Sequence, residues 1–317
     1  MTLSRALRIL VAVALTAYVL VKSHPTEVAR VAAGARPSWL LLAVGLVVVD
    51  RAVNAYRWVV LLRALTPGSR PPLTAVIRIF FVSSFVGNFL PSIGGDVYRA
   101  YQLARLGVRS SEAAASVLMD RIVGVLSMVM VAAVALLFLR DLELPGVVPA
   151  LLIVTAACAV AAGTVFSSVV AGRIVALVQR IPMARAQSAA RTLLDAIRRY
   201  ASHHGALVGV LGLSVVVQLL RVVQAYCLGR ALDLALPMIV YFGFIPVITL
   251  VMQVPITVAG LGTTQYAFEW MFGRAGVPSA VSFALSILFL GLGTLGNLPG
   301  GLLYAFGDNG TAKDPVR

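Results

Sequence analysis

Eight times along this chain the sequence runs apolar for long enough to enter or cross a lipid bilayer: residues 6–21, 39–62, 72–90, 113–139, 147–170, 205–229, 237–254 and 279–306. A helix of about 20 residues crosses a hydrocarbon core about 30 Å thick. Inside that core every backbone N–H and C=O must find a partner within the protein, which makes such runs helices. The expected fold is therefore an all-α polytopic membrane protein, one transmembrane domain over 1–317. Composition agrees: 60% of the residues are hydrophobic and 12% are charged, against about 25% charged in soluble domains. No interval between the runs is long enough for a separate soluble domain. That argues against a conventional enzyme, and no cofactor is expected.

The net charge of +14 would suggest nucleic acid in a soluble protein. In a membrane protein, Lys and Arg retain cytoplasmic loops and touch anionic lipid, so the expected partners are membrane lipids and not nucleic acid. The basic linker 171–204 carries Arg173, Arg180, Arg185, Arg191, Arg198 and Arg199 against one acid, Asp195. It reads either as an amphipathic helix on an anionic membrane face or as a solvated loop with a helical stretch. Arg5 and Arg8 followed by an apolar run to Val21 resemble a signal peptide, but no small-x-small cleavage site follows, so a retained first span is expected. Cys158 and Cys227 fall within apolar runs and are read as packing residues, with no disulfide and no metal.

Two runs end on helix-breaking residues. The third leads into Asn88, Pro91, Gly94, Gly95 and Asp96, and the seventh into Pro255, Gly260 and Gly262. Proline removes a backbone donor and glycine favours unwinding. Broken helices at membrane depth belong where protein or a wet cavity covers them, and a matching pair in two halves points to a transport site. If both are re-entrant hairpins, six full spans remain. The loops on the side of Arg8 then hold 15 Lys and Arg, against 6 on the other. The positive-inside rule makes the first side cytoplasmic, with both termini. Each half, 1–140 and 141–317, becomes span, span, hairpin, span, and three crossings per half invert the second relative to the first.

Arg51, Arg57, Arg78, Arg121 and Arg221 lie inside the apolar runs, accompanied by Asp50, Asp120 and Glu269. A charge at the bilayer centre costs at least about 2.5–3.5 kcal/mol on insertion scales, so such groups face a cavity or one another. Asp50, Asn54 and Arg57 share one helical stripe, as do Gln218, Arg221 and Gln224. Internal ion pairs such as Asp50–Arg57 and Asp120–Arg121 would merely hold helices together. The excess of basic groups instead favours an anion, and a guanidinium grips phosphate in a fork. Gly291, Gly293 and Gly296 match a dinucleotide-binding pattern, yet sit in an apolar run without a preceding strand, so packing is expected there and likewise at Gly205 and Gly209. His24, His203 and His204 have no metal-ligand neighbours, and no nucleophile–base pair stands out.

The stretch from Asn88 through Pro91, Gly94, Gly95, Asp96, Arg99, Leu103 and Arg105, followed by 114–124 with Asp120, Arg121 and Gly124, resembles the lysylphosphatidylglycerol synthase transmembrane-domain family, also called flippase-like integral membrane proteins. The segment Pro255 to Gly262 resembles that family's second motif. The resemblance implies a bacterial or archaeal plasma-membrane protein that handles lipid. Its two-domain members move aminoacylated phosphatidylglycerol between leaflets and make that lipid in a separate soluble domain, which this sequence does not contain. Where the family tends to carry glutamate three residues after the second glycine, Gln265 stands here, with Glu269 one turn on.

Two functions follow as expectations. In the first, a lipid translocase moves a phospholipid, aminoacyl-phospholipid or polyprenyl-phosphate-linked head group. Arg57, Arg99, Arg121 and Arg221 bind phosphate, with Asn88 and Gln265 as polar contacts, and Asp96, Asp120, Gln224 and Glu269 are the further candidate binding residues; Arg57, Asp96, Arg99, Arg121 and Arg221 should border one polar cavity between the hairpin tips. In the second, a membrane scaffold or accessory subunit serves a lipid- or glycan-modifying system, and its buried charges are self-paired. A carrier for a soluble solute is a third, weaker option. On the inverted arrangement, single cysteines at Ser188 and Asp233 should react with impermeant thiol reagents from opposite sides. Labelling of both from one side would exclude it.

Overall fold

The computed structural model describes residues 34–66, 71–89, 94–137, 147–178, 184–253 and 262–306. The predicted span 6–21, Pro91, Pro255 and Gly260 lie outside them. Among the described residues there are eleven α-helices, one 3-10 turn and no strand. They are α1 (Pro37–Leu65), α2 (Leu73–Gly87), α3 (Gly94–Arg105), α4 (Ser110–Leu136), α5 (Val147–Phe166), α6 (Ser168–Val178), α7 (Ala184–Arg198), the 3-10 turn Arg199–Ser202, α8 (His204–Ala231), α9 (Met238–Gln253), α10 (Thr263–Arg274) and α11 (Ser279–Phe306). Four of them, α1, α4, α8 and α11, are long and apolar enough to cross a membrane. A fifth span is counted if α5 and α6, bent by 100°, form one broken crossing. The expected run 147–170 thus ends at Phe166, and the first part of the basic linker belongs to α6.

At 15, 12, 16 and 12 residues, α2, α3, α9 and α10 are shorter than a full crossing. Each pair, α2–α3 and α9–α10, lies side by side. The first pair touches backbone to backbone: a Cβ on Gly95 would sit 2.7 Å from the carbonyl oxygen of Ser83 and 3.1 Å from the Cα of Gly87.

The helix contacts match under exchange of α1–α4 with α8–α11. The most extensive contact joins α1 to α8, and the next two, α2 with α11 and α4 with α9, are each other's counterparts. The cores follow the same division. Trp58, Val59, Val76, Phe80, Leu103 and Val117 unite α1 to α4. Ala225, Leu228, Tyr241, Phe244, Phe272 and Leu285 unite α8 to α11. Even the turns repeat. Gly107 (φ 86°) and Gly276 (φ 80°) each follow a helix end. In both, the next valine N–H closes back on a carbonyl five residues earlier, Val108 on Leu103 at 3.3 Å and Val277 on Phe272 at 3.0 Å. This Schellman closure needs a left-handed residue, which glycine supplies without strain.

α11 approaches α2 at Gly300 and Gly301, where side-chain atoms would overlap the carbonyl oxygen of Phe81 and the ring of Phe85. Lipid tails give apolar helices no reason to associate, so close approach of small residues supplies the contact. Of the predicted packing glycines, Gly296 does pack: a Cβ added there would lie 3.1 Å from Arg51 Nε. Added Cβ atoms at Gly205, Gly209, Gly291 and Gly293 would meet nothing within 4 Å among the described residues. Gly300→Leu should therefore lose most of the folded protein recovered in detergent, whereas Gly291→Leu should be recovered at the wild-type level.

Candidate functional site

Successive residues on an α-helix are turned about 100° from one another, so charged residues that adjoin in sequence point apart. Asp120 and Arg121 on α4 illustrate it. Asp120 turns toward α1 and α3, where its Oδ1 accepts from Arg57 Nε and Nη2 at 2.9 Å and its Oδ2 from Arg99 Nη1 at 3.3 Å. Arg57 also donates to Ser214 Oγ at 3.1 Å, and Arg99 to Ser83 Oγ at 3.2 Å. The Arg99 guanidinium lies 4.8 Å from the Trp58 ring centroid and 5.0 Å from that of Phe80. All three charged residues are buried. Gly124 leaves room beside Arg57, whose Nη1 would be 3.7 Å from an added Cβ.

Arg121 faces elsewhere. It donates from Nε to Asp96 on α3 and from Nη1 to Gln253 Oε1, 2.8 Å away at the end of α9. One guanidinium thereby joins the two broken regions. A second ion cluster forms where α1 crosses α8: Asp50, 1% exposed, has Arg51 Nε and Arg221 Nε each at 3.5 Å. Among the described residues, neither oxygen of Asp50 finds a hydrogen-bond donor, and Arg51 Nε and Gln224 Nε2 find no acceptor, although all are buried. The inward stripe Asp50–Asn54–Arg57 is buried as expected, as are Gln218 and Gln224.

The pairs anticipated from sequence are thus corrected. Asp50 pairs with Arg51 and Arg221, not Arg57, because seven residues on one helix are about 10.5 Å apart along its axis. Asp120 pairs with Arg57 and Arg99, not Arg121. The other candidate residues Asn88, Gln265 and Glu269 take part in hydrogen bonds of their own. Asn88 accepts a bond from Asn297 Nδ2 at 2.8 Å. Gln265 accepts from the Gly262 N–H at 2.6 Å and so caps α10 (Gly262 at φ 87°). Glu269 is exposed and accepts from Ser279 at the start of α11. None of these three joins an arginine in its hydrogen bonds. No metal-type cluster of acids, His or Cys occurs among the described residues, and Cys158 and Cys227 are free thiols.

Sequence reasoning missed Arg51, Gln253, Ser214 and Asn297 as partners. For Arg51 a signal existed: Arg51-x-x-Asn54-Ala-Tyr56 on α1 is echoed by Arg221-x-x-Gln224-Ala-Tyr226 on α8. It also missed the buried Glu112, which pairs with Arg199 at 3.0 Å and with Arg109. With the bond from the Tyr200 hydroxyl to the Leu61 carbonyl at 3.0 Å, it fixes the end of the basic linker to α1 and α4.

Removing the carboxylate shared by two buried guanidinia should be costly. Asp120→Asn is expected to lower stability by about 3–5 kcal/mol, the range for stranding a buried charge, read as a fall in melting temperature in detergent. Asp96→Asn, whose pair is partly exposed, should cost less. Equal losses would show that burial does not set the cost.

No curated protein and no solved structure matches the chain. The family model described as the lysylphosphatidylglycerol synthase TM region matches residues 5–300. With its apolar, bilayer-length helices, the chain is an integral membrane protein that belongs to the lysylphosphatidylglycerol synthase TM region family.

Proposed function

We propose that the protein is a lipid translocase, flippase or scramblase in kind, that passes a phosphate-bearing head group between the leaflets of a prokaryotic plasma membrane. The head group is that of a phospholipid, an aminoacyl-phospholipid or a polyprenyl-phosphate-linked sugar. The observation that carries this reading is the excess of arginine over acid among the described residues buried between the helices. Arg51, Arg57, Arg99, Arg121 and Arg221 cluster there against Asp50, Asp96 and Asp120 alone. Buried positive charge in excess attracts an anion, and phosphate suits the guanidinium fork.

On this reading six full spans and two re-entrant hairpins form an inverted repeat, with both termini and the linker 171–204 cytoplasmic. Matching helix contacts between the halves support it, since such repeats around broken helices serve alternating access. Arg121, bonded to α3 and to the end of α9, and Arg221, loosely held on Asp50, are the guanidinia offered to the phosphate. Movement is downhill or ion-coupled.

A second reading, a non-transporting scaffold or accessory subunit, is favoured by a different observation: Asp50, Asp96 and Asp120 are each already paired with arginine. The two readings separate in one assay. Arg121→Ala with Arg221→Ala, reconstituted in vesicles, should abolish movement of a fluorescent phosphatidylglycerol while the protein stays folded. Each lost guanidinium should weaken head-group binding by about 1.5–3 kcal/mol. A folded double variant that moves lipid at the wild-type rate excludes the phosphate site. If loss of folded protein is the result, and Asp96→Asn restores yield to Arg121→Ala, the scaffold reading stands.

A further inference from the structure

Both short first arms end alike. α2 stops at Gly87 with Asn88 as its cap, three residues before Pro91. α9 is described as far as Gln253, two residues before Pro255. Each arm therefore carries a side-chain carboxamide two or three residues before its proline. Among the described residues, the bonds that these carboxamide oxygens accept come from the opposite half. Asn88 Oδ1 accepts from Asn297 Nδ2 on α11 at 2.8 Å, and Gln253 Oε1 accepts from Arg121 Nη1 on α4 at 2.8 Å. α4 and α11 are the last spans of the two halves, and the α2–α11 and α9–α4 contacts are counterparts.

We infer that Asn297 and Gln253 are positioning residues, and that each broken arm is held at its tip by a polar bond to the final span of the opposite half. In low dielectric a carboxamide oxygen without a partner costs more than a made bond returns, so each bond selects one placement of its arm. The two differ in strength. Asn297 offers a neutral donor, and the remaining Asn88 Nδ2 and Asn297 Oδ1 are buried without partners. Arg121 offers a charged donor and is anchored to Asp96 on α3 as well. Holding α9 is thus tied to holding α3, the helix that follows the first break, and not to holding α2.

The inference deepens the translocase reading, because arms that move in turn are what alternating access requires. Its test is independent of lipid. Hydrogen–deuterium exchange is measured on purified full-length protein in detergent, for peptides ending α2 and for peptides ending α9. Asn297→Leu should speed exchange at the end of α2 roughly five- to tenfold, the worth of one neutral bond, with the end of α9 unchanged. Gln253→Leu should do the reverse, by more than about tenfold, since its donor is charged. Gln253→Glu, which gives Arg121 a carboxylate, should slow exchange there below wild type. Unchanged exchange in these variants, or equal acceleration at both arms, overturns the inference, and so does a Gln253→Glu protein that exchanges like Gln253→Leu. Wild-type protein that moves no lipid would remove the translocase reading alone. Unchanged exchange would remove the two tip bonds alone.

Discussion

Charge in a medium without water is the constraint on which this structure turns. A guanidinium inside a bilayer needs an acid, a hydroxyl, an aromatic face or a ligand within bonding distance. The chain supplies the first three from helices far apart in sequence. Asp120 on α4 draws Arg57 from α1 and Arg99 from α3. Arg99 is further boxed by Trp58, Phe80 and Ser83. These bonds hold α1 to α4 in one arrangement, where apolar packing alone would discriminate weakly among lipid-facing alternatives.

The two halves share a frame but not a chemistry. Their turns, cores and crossing pattern correspond. Yet α3 and α4 are joined by hydrogen-bonded ion clusters, whereas between α10 and α11 Phe268 stacks on Phe272 at 5.5 Å and packs on Phe289. Ion pairs thus dominate the contacts of α3 and α4, and aromatic packing those of α10 and α11. Arg121 is where they meet. An arginine can bond two partners in a plane at once, which suits it to joining elements that belong to different halves.

The cluster at the α1–α8 crossing is the least satisfied part of the interior. Asp50 has two guanidinia near it and a hydrogen bond from neither, whereas Asp120 is fully engaged. Half-satisfied buried networks are costly and rarely idle. Gly296 opposite Arg51 shows that α11 has been kept slim to admit that side chain.

Much was legible before any coordinates. Apolar runs fixed α1, α4, α8 and α11 to within a few residues, because bilayer thickness dictates length. Glycine and proline marked the ends of α2 and α9, because they act on the backbone locally. Helical periodicity put Asp50, Asn54 and Arg57 on a buried face. What sequence could not supply was partnership. Asp50 with Arg221, Asp120 with Arg57, Arg121 with Gln253 and Asn88 with Asn297 are 171, 63, 132 and 209 residues apart. Periodicity says which way a side chain faces and nothing of which helix faces it. The sequence by itself determined that this is a membrane protein with charges to bury. Only tertiary structure decided which charge meets which, because that depends on how helices cross, and the crossing is set by close contacts such as Gly300 on α2 that no local pattern encodes.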